Sequence, residues 1–161
     1  LHTLKSGGIK IGAVFCGSDQ GNLDFVKKYS EGLGISESVC FLGYVSEEAK
    51  NSLFRSSLAV VVPSFFGPTN LPQIEAAIIG VPSIIPMSNN SMKFENEFFI
   101  EVDLFDSMSL VKEIKNLLLI SNYRIEKINL SKRFLLKKRM HPYHIVEKVT
   151  TKFKHKLKNF N

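Results

Sequence analysis

Apolar residues along this chain alternate between two patterns. The first is a set of short continuous runs: Ile9-Lys10-Ile11-Gly12-Ala13-Val14-Phe15-Cys16, Val39-Cys40-Phe41-Leu42, Leu58-Ala59-Val60-Val61-Val62, Pro82-Ser83-Ile84-Ile85-Pro86 and Phe98-Phe99-Ile100-Glu101-Val102. Runs this short and continuous predict strands, the first of them buried. The second pattern is helical spacing, as at Leu23, Val26, Tyr29 and Leu33. It predicts helices over 23–33, from Ser46 to about 56, over 71–79, from Asp106 to about 120, and from Asn122 onward with an interruption at His141-Pro142. Gly34 and Gly80 stand where helices end on a left-handed residue. Asp19 and Asp106 precede helices and read as caps rather than metal ligands.

Strand and helix in alternation predict an α/β fold. The expected form is a doubly wound parallel sheet, Rossmann-like, with helices on both faces, right-handed crossovers and a C-terminal helical tail. Such sheets bind ligands outside the carboxyl ends of their strands. The loops at 17–22, 43–46, 63–70 and 86–92 therefore carry the functional expectation.

Composition narrows the class. The chain has 161 residues, 44% hydrophobic and 22% charged, which excludes disorder and leaves room for one core. Its longest apolar stretches, 58–63 and 117–120, fall short of the roughly 18 residues a membrane span needs, and no leader pattern opens the chain. Cys16 and Cys40 are too few for a disulfide framework; both are expected as buried small hydrophobes in a reducing compartment. His2, His141, His144 and His155 lack partners at ligand spacing and are expected at the surface.

Charge changes the picture more. The net +6 divides into 9 basic and 13 acidic residues over 1–123, against 12 basic and 2 acidic over 124–161. Basicity thus belongs to the C-terminal segment, which argues against the whole domain as a nucleic-acid binder. Residues 1–122 are expected as the domain body and 123–161 as a basic helical segment. That segment reads as a packed, solvated helix or, more sharply, as a surface drawn to anionic membrane.

The most informative stretch is 63–80. A loop at a strand end leads into a helix near Asn70, with Pro72 in its first turn, where a missing N–H costs nothing. A helix N-terminus offers unpaired N–H groups and partial positive charge to a phosphate. Thr69 and Asn70 add donors, and the Glu75 carboxylate one turn inside can accept from a ribose diol. The same residues read equally well as a simple cap at Asn70 and a solvated Glu75.

Pro63-Ser64, Asn70-Leu71-Pro72, Glu75-Ala76-Ala77 and Gly80-Val81-Pro82 closely resemble the donor-binding signature of the group 1 (family 4) glycosyltransferases. Val14-Phe15-Cys16-Gly17, Val39-Cys40-Phe41-Leu42-Gly43-Tyr44-Val45, the strand at 59–64 and the helix at 104–119 resemble the family's other segments in the family's order. The resemblance covers about residues 9–120. It implies the C-terminal donor-binding domain of a two-Rossmann-domain enzyme that is retaining, needs neither metal nor cofactor, and takes a nucleotide-diphosphate sugar as donor. On this resemblance Glu75 holds the donor ribose; Thr69, Asn70 and Leu71 meet the diphosphate; Gly17 lets the backbone approach it; and Phe41, Leu42 and Tyr44 pack the nucleobase.

Two departures stand out. The family's first motif glutamate falls at Gly67, which has no carboxylate, so Thr69 or Asn70 would have to hold the sugar hydroxyls. The family's cationic pair for the leaving diphosphate is not matched in position by Lys5 or Lys10, and no catalytic residue is assigned. The expectation is a cytoplasmic hexosyltransferase of polysaccharide biosynthesis, peripheral at the membrane, and a fragment whose N-terminal acceptor-binding domain is missing. The alternative is a non-catalytic nucleotide-sugar binding or assembly module. An unrelated receiver-like regulator would need an acidic cluster at the first strand end, which is absent.

Overall fold

The computed structural model describes residues 1–64, 71–87 and 98–137. They divide into two compact units, Leu1–Leu53 and Phe54–Asn161. The first unit runs α1 (His2–Ser6), β1 (Ala13–Cys16), α2 (Leu23–Gly32), a 3-10 turn (Ser36–Ser38) and β2 (Val39–Gly43), and α3 (Glu47–Ser56) crosses the division. β1 and β2 pair in parallel, Ala13 opposite Val39 and Phe15 opposite Phe41. The Asp19 carboxylate accepts from the Gly21 and Leu23 N–H groups at 2.7 and 3.2 Å, so it caps the approach to α2 as its sequence position suggested. Ser46 does the same for α3, its Oγ accepting from Ala49 N–H at 3.2 Å.

Three expectations do not hold in this unit. The strand expected over 9–16 begins only at Ala13, because Ile9 N–H is taken by the Leu4 carbonyl in the turn after α1, at 3.0 Å. α1 itself escaped the periodicity reading; five residues with one fully buried side chain, Leu4, make no repeat. The strand is also not buried. Val14 and Phe15 are 51% and 48% exposed, and Cys16 and Cys40, expected inside, are both exposed. Continuous apolar strands are buried when strands and helices flank them on every side. Among the described residues β1 has a ladder partner on one side only.

The second unit fulfils the expected layering. It comprises β3 (Val60–Val61), α4 (Leu71–Ile79), β4 (Ser83–Pro86), β5 (Ile100–Val102), α5 (Ser107–Leu119) and α6 (Tyr123–Lys137). Its three strands are parallel in the order β3-β4-β5. Side chains alternate across the sheet, as the pleat requires. Ile84, Ile100 and Val102 meet Leu110, Ile114 and Leu117 of α5 on one face. On the other, Ile85 and Phe99 meet Ala77 of α4 and Phe134 and Leu135 of α6. Both faces are thus covered by helices, the α/β arrangement expected from the sequence.

α6 belongs to that core despite its charge. The Phe134 ring sits 5.1 Å from Phe99 and 5.4 Å from Phe98 and is 2% exposed. The described part of the basic segment is therefore a packed helix. Asp106 caps α5, accepting from Met108 N–H at 2.9 Å. Gly80 stops α4 at φ +89°, and an added Cβ would lie 3.6 Å from the Lys132 side chain of α6. The interruption at His141-Pro142 lies outside the described residues.

Candidate functional site

In the first unit the residues singled out by sequence gather at the carboxyl ends of β1 and β2. β1 ends at Cys16 and passes into Gly17; β2 ends at Gly43 and passes into Tyr44. The two turns are joined, Gly17 N–H donating to the Gly43 carbonyl at 2.8 Å. Gly17 has φ +131°, and an added Cβ there would meet nothing within 4 Å. The glycine therefore keeps a backbone conformation that side chains disfavour, beside open space in which a ligand can come close.

Register then decides how the neighbours are presented. Phe15 pairs with Phe41, but Cys16 pairs with Gly43, so Leu42 is the extra residue of a bulge. A bulge bends its strand and re-aims side chains at the strand end. Leu42 is 45% exposed and Tyr44 86% exposed. Phe41 is half-buried against Phe15, ring centroids 5.1 Å apart and 21° from parallel, with Lys27 Nζ of α2 5.9 Å from the Phe41 centroid. Phe15 and Lys27 were missed by the sequence reading. The only signal for Phe15 was its place two residues before Gly17; for Lys27 there was none.

In the second unit α4 buries Gln73, Ala76 and Ala77 and turns Leu71 and Ile78 outward. Leu71 opens the helix, and Glu75, half-buried, lies four residues on along the same face. Gly67, Thr69 and Asn70 fall outside the described residues.

A depression of about 450 Å³ also opens in the first unit, lined by Lys5, Lys10, Glu37 and Ser38 with Ile9, Ile11 and Gly12. Gly12 and Ser38 directly precede β1 and β2. This hollow is at the amino ends of the strands, opposite to the Gly17–Gly43 turns. Parallel sheets of this type bind at the carboxyl ends, so the turns, not the hollow, are the candidate site. Lys5 Nζ is engaged with the Gly34 carbonyl at 2.8 Å.

Parallel pairing in both units, helices on both faces of the second unit's sheet and a glycine turn at a strand end of the first are features of a Rossmann-like α/β fold. The family model of glycosyl transferases group 1 matches residues 1–134 of the chain, which belongs to that family. An uncharacterized glycosyltransferase of Methanocaldococcus jannaschii is 31% identical over 62 residues, 38% of this chain and 16% of that protein. The crystal structure of Anabaena HepE in complex with UDP and glucose is similar with a TM-score of 0.69 at 18% identity, over 89% of this chain and 40% of that one. The C-terminal domain of LpcC, a glycosyl transferase group 1 family protein from Francisella tularensis, gives a TM-score of 0.69 at 21% identity, over 85% of this chain and 73% of that one. At these identities the two structures speak for the fold. The chain spans well under half the length of the Methanocaldococcus and Anabaena proteins.

Proposed function

We propose that this chain is the donor-binding domain of a retaining, metal-independent hexosyltransferase. It would hold a nucleotide-diphosphate sugar and, with an N-terminal acceptor-binding domain, pass the glycosyl group to an acceptor in polysaccharide assembly on the cytoplasmic side of a membrane. The observation that carries the reading is the glycine turn at Gly17, tied to Gly43, in a chain whose family membership covers residues 1–134. The UDP and glucose bound by the Anabaena protein point to the same ligand class.

The family resemblance assigns roles to residues of each unit separately. In the first, Gly17 lets the backbone approach the diphosphate, and Phe41, Leu42 and Tyr44 offer apolar surface to the base. In the second, the N-terminal end of α4 at Leu71, with Thr69 and Asn70 before it, supplies N–H donors and partial positive charge. Glu75 accepts from the ribose hydroxyls. Gly67 has no carboxylate for the sugar, which leaves that task to Thr69 or Asn70. Transfer would then depend on positioning and on stabilising the departing diphosphate.

Isothermal calorimetry with UDP, ADP and GDP tests the reading. Glu75→Ala is expected to weaken the preferred nucleotide by about 1.5–3 kcal/mol, the range for a lost hydrogen bond to a charged group. Unchanged affinity removes Glu75 from the ribose contact. Gly67 in place of a carboxylate favours a second reading, a binding module without turnover. Measurable glycosyl transfer by the chain would exclude that reading.

A further inference from the structure

We propose that the corner between α5 and α6 seats this protein on an anionic lipid surface. The inference rests on the reading of the chain as a transferase working beside a membrane, and it assigns the contact to residues that neither the motif nor the family resemblance singles out. α5 ends in Leu118 and Leu119, Ile120 follows it, and α6 opens at Tyr123 with Ile125 on its exposed side. All four are large aliphatic side chains turned to solvent, 42%, 72%, 50% and 58% exposed. Single exposed aliphatics need no explanation, but four flanking one turn form a patch. Farther along the outer side of α6, Leu136 is 62% exposed.

The corner is built, not loose. Tyr123 Oη donates to the Glu113 carboxylate of α5, and Arg124 donates to the Ser57 carbonyl at 3.2 Å. The apolar tips are thus held outward by a fixed turn whose other side is packed. Among the described residues, no helix is long and apolar enough to cross a membrane. Shallow seating is the geometry that four tips on a turn allow.

Charge identifies the partner. Lys132 and Arg133 are exposed on α6, against Glu126. Residues 124–161 as a whole carry 12 basic and 2 acidic residues, whereas residues 1–123 carry 9 basic and 13 acidic. An apolar corner that opens a helix bearing Arg124, Lys127, Lys132 and Arg133 against Glu126 alone complements a surface that is apolar within and negative outside. A negative membrane would attract this helix. A neutral apolar protein partner would leave the charge division without a role.

The chain contains no tryptophan, so Leu119→Trp introduces a single reporter. In the full chain its emission is expected to shift to the blue with phosphatidylcholine vesicles containing phosphatidylglycerol, and not with phosphatidylcholine alone. Flotation with the anionic vesicles should fall about tenfold in Leu119→Glu/Ile125→Glu and by a similar factor in Lys132→Glu/Arg133→Glu. Circular dichroism should be unchanged, since all four positions are exposed. No shift in Leu119→Trp, equal flotation of the Leu119→Glu/Ile125→Glu variant and the parent, or equal binding to neutral vesicles would each overturn the proposal. Nucleotide affinity in the same variants should match the parent, so a failure of the corner is separate from a failure of the donor reading.

Discussion

Gly17 and Gly80 are the same residue type with different work to do. Both have positive φ, +131° and +89°. At Gly17 the space a side chain would fill is open, whereas at Gly80 it borders Lys132 and Ile128 of α6. The left-handed conformation costs an ordinary residue roughly 1–2 kcal/mol. Gly80→Ala should therefore lower stability by about that amount, read from urea midpoints, with nucleotide affinity unchanged. Gly17→Ala should lower affinity as well, because the added methyl stands where the ligand would approach. Asp106→Ala should cost about 1 kcal/mol of stability through its lost cap. Asp19 and Asp106 were readable in advance because capping involves only residues within one turn. The Phe15–Phe41 stack was not, since it needs the register between two strands.

At the scale of elements, α6 shows how far a charge reading reaches. Its basic residues mark the outer side, yet its inner side supplies Phe134 and Leu135 to the core. Phe134→Ala should destabilise the second unit by roughly 3–5 kcal/mol, visible in thermal and urea melts. β5 carries a quieter conflict. Glu101 lies within the strand, and burial raises its carboxyl above the usual range. The folded chain then holds that proton to higher pH than the unfolded chain does. Stability contributed by the protonated group is present at acid pH and lost as pH rises through the ordinary carboxylate range toward neutrality. Glu101→Gln should flatten this part of the pH profile and raise the urea midpoint at neutral pH. A profile parallel to that of the parent would mean that Glu101 titrates normally.

Across the whole molecule the two units differ in how their strands are protected. β4 lies between two parallel partners with both faces covered, and Ser83, Ile84 and Ile85 are buried. β1 has one described partner and three exposed residues out of four. Amide exchange follows local protection, so β4 amides should exchange far more slowly than those of β1. The opposite order by hydrogen–deuterium exchange would contradict this difference in burial. Ending the chain after Asn122 removes Phe134 and Leu135 from the core and should abolish cooperative melting of the second unit.

The sequence by itself determined the order of strands and helices from β1 onward, the caps at Asp19 and Asp106, the stops at Gly34 and Gly80, and the motif that pointed to a donor-binding glycosyltransferase domain. These rest on interactions within a few residues, or on spacing along one element. Only the tertiary structure decided that β1 is short and open, that Cys16 and Cys40 face solvent, that Gly17 is tied to Gly43, and that a basic helix closes the second core. Burial and register depend on which distant segments come together, and an apolar run has the same composition whether its partners cover it or not.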